Sequence, residues 1–85
     1  DRCSRIQYIA ERAYLEEIEG GCHAPVGAYC EINGDKITIY AVYGDEQGNK
    51  LIRDYITGAT DNADELGRTL AKKMKRALEE SYEKR

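Results

Sequence analysis

The sequence predicts an α+β fold of order α-β-β-β-α: a three-stranded antiparallel sheet with two helices packed on one face. Three observations predict it. Apolar residues recur at helical spacing near both ends of the chain, they alternate with period two through the middle, and short polar turns containing glycine separate the alternating runs. Strands joined by short turns form an antiparallel meander. A meander with one apolar face needs a cover, which two amphipathic helices supply.

The first helix is predicted over residues 4–18, where Ile6, Ala10, Ala13 or Tyr14, and Ile18 recur among Arg, Gln and Glu. Gly20 and Gly21 stop it, because glycine readily takes the conformation that turns a chain out of a helix. The period then changes. Val26, Ala28, Cys30 and Ile32 alternate with Gly27, Tyr29 and Glu31, and Asn33-Gly34 follows as a two-residue hairpin turn.

A second strand is predicted over 36–43, with Ile37, Ile39 and Ala41 alternating against Thr38, Tyr40 and Val42. Residues 44–49 form a polar turn, and 50–57 a third strand rich in β-formers at Ile52, Tyr55 and Ile56. Residues 58–61 connect. Asn62 and Glu65 offer a capping box for a last helix over 63–80, whose apolar stripe is Ala63, Leu66, Gly67, Leu70, Ala71, Met74 and Leu78. The charged end, 79–85, is expected to fray.

The 85 residues make a single domain, 1–85, with a small core. Trp and Phe are absent, so the seven tyrosines are expected to supply the aromatic packing. The net charge of −3 argues against a general nucleic-acid binder, which needs a basic surface. No apolar run is long enough to span a membrane, and reduced thiols in the cytoplasm are the expectation for the three cysteines. The first residue is Asp, so the chain reads as a piece of a longer protein.

Gly20-Gly21-Cys22 is the candidate site. It places a soft nucleophile on a sterically open turn, with Pro25 limiting the loop on the far side. Nothing nearby activates the thiolate, since the negative end of a helix dipole opposes deprotonation. Cys3, Cys22, His23 and Cys30 do not make a zinc set, because no Cys-x2-Cys pair exists and Cys22 adjoins His23. No metal is expected. Cys3 and Cys30 read as core or near-core residues, and His23 as a partly exposed loop residue with no acid–base partner. Glu11 and Arg12 read as a solvated or interdomain ion pair.

Ala10-Glu11-Arg12-Ala13 through Leu15, then Glu19-Gly20-Gly21-Cys22-His23-Ala24-Pro25-Val26-Gly27-Ala28-Tyr29, resembles the C-terminal domain of porphobilinogen deaminase (hydroxymethylbilane synthase). The likeness continues through Gly44-Asp45-Glu46-Gln47-Gly48, Leu51 and Arg53, and through Gly58, 61–67 and Leu70-Ala71, so that it runs from Ile9 to Leu78. His23 stands where that family often has Gln, and Cys30 where a small residue is common.

The resemblance implies that Cys22 carries a covalent dipyrromethane through a thioether, with Gly20 and Gly21 leaving it room. The family uses that group as the primer on which four porphobilinogen units are condensed in haem biosynthesis. Its catalytic aspartate and carboxylate-binding arginines lie on two preceding domains, absent here. No catalytic residue is therefore expected in this chain, and 1–85 alone is expected to be inactive. The implied partners are those two domains, porphobilinogen and the growing polypyrrole. Nucleic acid and membrane are not implied, and a monomer is expected.

A different class shares the element order. Double-stranded RNA-binding domains also run α-β-β-β-α and place basic residues at the start of the last helix. Here that helix opens with Asp61, Asp64 and Glu65, and the basic run Lys72, Lys73, Lys75 and Arg76 comes later, which reads as a solvated face. A free-standing binding module that keeps the fold without the chemistry is the other alternative.

Overall fold

The computed structural model describes residues 1–19, 26–44 and 51–83, with side chains for 1–18, 27–44 and 51–80. The elements are α1 (Arg2–Glu19), β1 (Val26–Asn33), β2 (Lys36–Gly44), β3 (Leu51–Ala59), a 3₁₀ turn (Thr60–Asn62) and α2 (Ala63–Glu83). The strands form one antiparallel sheet in the order β1-β2-β3. This is the predicted α-β-β-β-α architecture, with one sheet face covered by both helices.

Alternation decides which face is covered. Ile37, Ile39, Ala41 and Tyr43 of β2 are buried, and the registers Cys30↔Ile39↔Ile56 and Ala28↔Ala41↔Asp54 put their neighbours on the same side. Against this face lie Ala10, Ala13, Tyr14 and Ile18 of α1 and Leu70, Ala71, Met74 and Leu78 of α2, all buried at the spacing that the apolar stripes predict. Tyr14 is fully buried, and its hydroxyl donates to the carbonyl of Val42 at 3.2 Å, tying α1 to the central strand.

The helices cross where α2 has no side chain. A Cβ on Gly67 would stand 2.5 Å from the Ala10 carbonyl oxygen and 3.1 Å from both the Ala13 Cβ and the Tyr14 nitrogen. Lys75 joins the helices further along, donating from Nζ to the Glu17 carbonyl at 2.8 Å. That carbonyl belongs to the last turn of α1, where acceptors lack helical partners.

Local details depart from the sequence-based expectations. Helix α1 begins two residues earlier than predicted, because Asp1 accepts from the Cys3 amide (3.3 Å) and the Ser4 hydroxyl (3.0 Å). The first hairpin pairs Asn33 with Lys36, so its two loop residues are Gly34 and Asp35 rather than Asn33 and Gly34. Gly34 takes φ +63° and Asp35 does not take a positive φ, the pattern of a II′ turn, which wants glycine first.

The Asn62–Glu65 capping box does not form. The chain enters α2 through the 3₁₀ turn, and the Thr60 amide instead donates to the Asp35 carbonyl at 2.9 Å. Arg2 reinforces this corner by donating to Thr60 Oγ1 at 3.2 Å.

The expected role of the tyrosines also needs correction. Among the described side chains only Tyr14 and Tyr43 are buried, while Tyr8, Tyr29, Tyr40 and Tyr55 are exposed. Ile, Leu, Ala and Met fill the core instead, because Tyr29, Tyr40 and Tyr55 fall on the strand positions that alternation turns outward.

Candidate functional site

Gly20, Gly21 and Cys22, with His23, lie outside the described residues, between the end of α1 at Glu19 and the start of β1 at Val26. Both flanks are anchored. Ile18 is buried, the Glu17 carbonyl is held by Lys75, and β1 enters the sheet at once with Val26↔Tyr43 and Gly27↔Val42. The segment that carries Cys22 therefore spans two immobilised ends.

The other two thiols differ sharply. Cys30 is buried on the covered face of β1, and burial, followed by the nearby Glu11 carboxyl, pushes its pKa up to about 12. It is a core residue, as expected, and is protonated at neutral pH. Cys3 is exposed at the start of α1, contrary to the core or near-core expectation. Position 3 precedes the first buried position of the helix, Ala10, by two turns, and its side chain is exposed.

The charged side chains pair across helix surfaces. Glu16 accepts from Arg12 Nε at 2.8 Å and from Arg68 at 3.1 Å, and Arg68 also reaches Asp64 at 3.3 Å and Glu17 at 3.7 Å. Arg12 and Arg68 hold the Glu16 carboxyl below the usual carboxylate range. Arg12 thus pairs with Glu16 and with Tyr8, over whose ring its guanidinium lies at 5.8 Å, rather than with Glu11. The pairs Arg12–Glu16 and Asp64–Arg68 were legible as helical i,i+4 neighbours, but Arg68–Glu16 needed the helices to be brought together.

The basic run on α2 is partly spent. Lys73 pairs with Asp54 at 3.3 Å and Lys75 caps α1, leaving Lys72 and Arg76 on the exposed face. Asp61, Asp64 and Glu65 at the start of the helix are all exposed. Among the described residues this face does not present the cation row that a phosphate backbone requires.

The opposite face of the sheet bears a feature that sequence reasoning missed. Tyr29, Tyr40 and Tyr55 are register partners across all three strands, with ring centroids 6.1 and 6.0 Å apart. Beside them lies a groove of about 420 Å³ bordered by Gly27, Val42 and Arg53. Outward parity of the three positions was readable, but their alignment in one row depends on the hairpin registers.

Comparison with known proteins decides the family. The family model described as "Porphobilinogen deaminase, C-terminal domain" matches residues 6–76. The chain belongs to the porphobilinogen deaminase C-terminal domain family. It is similar to a porphobilinogen deaminase of Clostridium novyi (strain NT), 44% identical over 71 residues, covering 84% of this chain and 24% of that protein. It is also similar to the porphobilinogen deaminase of Clostridioides difficile (strain 630), 42% identical over 83 residues, covering 98% of this chain and 27% of that protein. The chain thus spans about a quarter of the length of the curated relatives it matches. The region matched by the porphobilinogen deaminase model includes Gly20, Gly21, Cys22 and Cys30 but not Cys3.

Proposed function

We propose that this chain is the cofactor-carrying domain of a cytoplasmic porphobilinogen deaminase, which condenses four porphobilinogen units into linear hydroxymethylbilane, and that Cys22 anchors its dipyrromethane through a thioether. The observation that carries this reading is the family match over 6–76, which runs through the whole Gly20-Gly21-Cys22 segment. The dipyrromethane would supply the pyrrole terminus from which the product chain is extended.

The sequence around Cys22 and the elements that flank it suit a thioether-bound group of this kind. Cys22 lies in the sequence between two tied-down elements, and the adjoining Gly20 and Gly21 bring no side chains that would crowd a bulky substituent. Cys30 does not compete, because it is buried and protonated, and Cys3 falls outside the family match. The domain's task is to hold the anchor: Lys75 fixes the last turn of α1, and the pairing of β1 with β2 fixes the other end.

No acid–base catalyst is assigned to this chain. The remainder of the enzyme would supply the groups that bind substrate carboxylates and move protons, so the purified 85-residue chain should not convert porphobilinogen. Detectable hydroxymethylbilane from it would refute that part.

The anchor is tested by intact mass and peptide mapping of the parent polypeptide purified from its native source. A dipyrromethane-sized adduct on the Cys22 peptide, coloured by Ehrlich's reagent, is the expected result. A bare Cys22 in a stable full-length parent would overturn the assignment and favour a binding module.

A further inference from the structure

The uncovered face of the sheet has a polarity of its own. At one end of the tyrosine row, the negative charge of the Glu31 carboxylate raises the pKa of the Tyr40 phenol, so that end is acidic. At the other end, Arg53 is exposed and has no hydrogen-bond or ion-pair partner among the described residues. The neighbouring Asp54 does not neutralise it, since that carboxylate is turned to Lys73 and to the Tyr55 amide.

Beside the tyrosines runs the cross-strand row Gly27↔Val42↔Arg53, and its floor is low. Gly27 has no atom within 4 Å of where a Cβ would stand, and its partner Val42 is only half-buried. We propose that this groove binds a planar aromatic ring bearing a carboxylate, the ring over Gly27 and Val42 against the edge of the Tyr29–Tyr40–Tyr55 row and the carboxylate on Arg53.

Charge complementarity selects this occupant. A guanidinium with no partner among the described residues, at one end of an aromatic row, suits one carboxylate, and Glu31 at the far end repels it and fixes the direction of entry. A nucleic-acid strand would need a line of cations beside the rings, which this face lacks among the described residues. Tyrosine rings offer stacking or edge contacts to a flat π-system. The pyrrole acids of the proposed reaction belong to this ligand class, but the inference rests on the groove alone.

The test titrates the intact polypeptide carrying this chain with indole-3-propionate, a fused pyrrole with a pendant carboxylate, and separately with its neutral amide. Ring resonances of 13C-labelled tyrosine report binding. Saturable shifts at Tyr29, Tyr40 and Tyr55 are expected, with the acid bound roughly three- to fivefold more tightly than the amide, as an exposed charge contact allows. Arg53→Gln should erase the preference for the acid, and Gly27→Val, which fills the groove, should abolish saturation.

Unmoved rings would overturn the proposal, including rings already covered by another part of the polypeptide. Equal affinity for acid and amide, or an acid preference that survives Arg53→Gln, would also overturn it. Cys22→Ala should bind the probe as the parent does, so failure of the Cys22 anchor leaves this result standing. A tethered ring and a free ring share the same chemistry. Tyrosine rings shifted in an adduct-bearing parent relative to Cys22→Ala, before any probe is added, assign the tethered one; rings that respond only to the probe assign the free one.

Discussion

A side-chain carbon on Gly67 would stand 2.5 Å from the carbonyl oxygen of Ala10, so the two helices meet backbone to backbone at that point. The atom in the way belongs to the main chain of a buried turn and cannot rotate aside. Gly67→Ala gains about 1 kcal/mol of helix propensity, but it must push α1 off α2 and off the sheet. A net loss of about 1–3 kcal/mol is expected for such overpacking, read as a lower urea midpoint with an unchanged slope. A variant as stable as the parent would show that the helices separate freely there.

Tyr14 joins α1 to the sheet by one hydroxyl. Tyr14→Phe keeps the ring volume and removes the donor to Val42, leaving that carbonyl short of a partner in a buried place. The expected cost is about 1 kcal/mol, measured by chemical denaturation at pH 7. Val42→Ala, whose side chain lies on the other face, should leave the hydrogen bond intact.

Lys75 supplies a cation and a donor to the last turn of α1. Lys75→Met retains the aliphatic stem and loses both. A decrease of about 1 kcal/mol is expected, together with faster amide exchange in the last turn of α1, next to the segment that carries Cys22. Unchanged exchange would mean that α1 ends where it does without help from α2.

Cys30 makes stability depend on alkaline pH. Its folded pKa, raised to about 12 chiefly by burial, lies above that of an unfolded thiol, so the folded state holds the proton more tightly. This contribution is complete below the unfolded pKa and is lost as pH rises from about 9 towards 12. The stability difference between the parent and Cys30→Ala should therefore shrink across that range, as followed by urea unfolding at successive pH values. Tyr14 titrates late in both proteins, so the difference isolates the thiol.

Glu16 carries the opposite sign. Arg12 and then Arg68 lower its pKa, so its contribution is present above the unfolded carboxylate pKa and is lost as pH falls through the folded one. An NMR titration of the Glu16 side chain should show Arg12→Gln moving its midpoint upward more than Arg68→Gln does. Equal midpoints in all three proteins would show that solvent screens the whole network.

Much of the fold was legible because its signals are local. Period-two alternation from Val26 to Ile32 and from Ile37 to Tyr43, and the helical stripe from Ala63 to Leu78, each report which side of one element meets apolar neighbours. The candidate site was legible for another reason. Glycine before cysteine in the α1–β1 connection is a contiguous pattern that needs no folding to be seen, and the family match covers it.

The sequence by itself determined the element order, the covered face of each strand and the family, because these depend on periodicity and on contiguous residues. Tertiary structure alone decided how separate elements meet. It moved the first hairpin loop to Gly34-Asp35, replaced the Asn62 cap with a 3₁₀ turn tied to Asp35, and brought Arg68 to Glu16. It also aligned Tyr29, Tyr40 and Tyr55 in one row and set Gly67 against Ala10. Each of these depends on a partner in another element, and elements acquire their relative positions only when the hydrophobic faces close on one another.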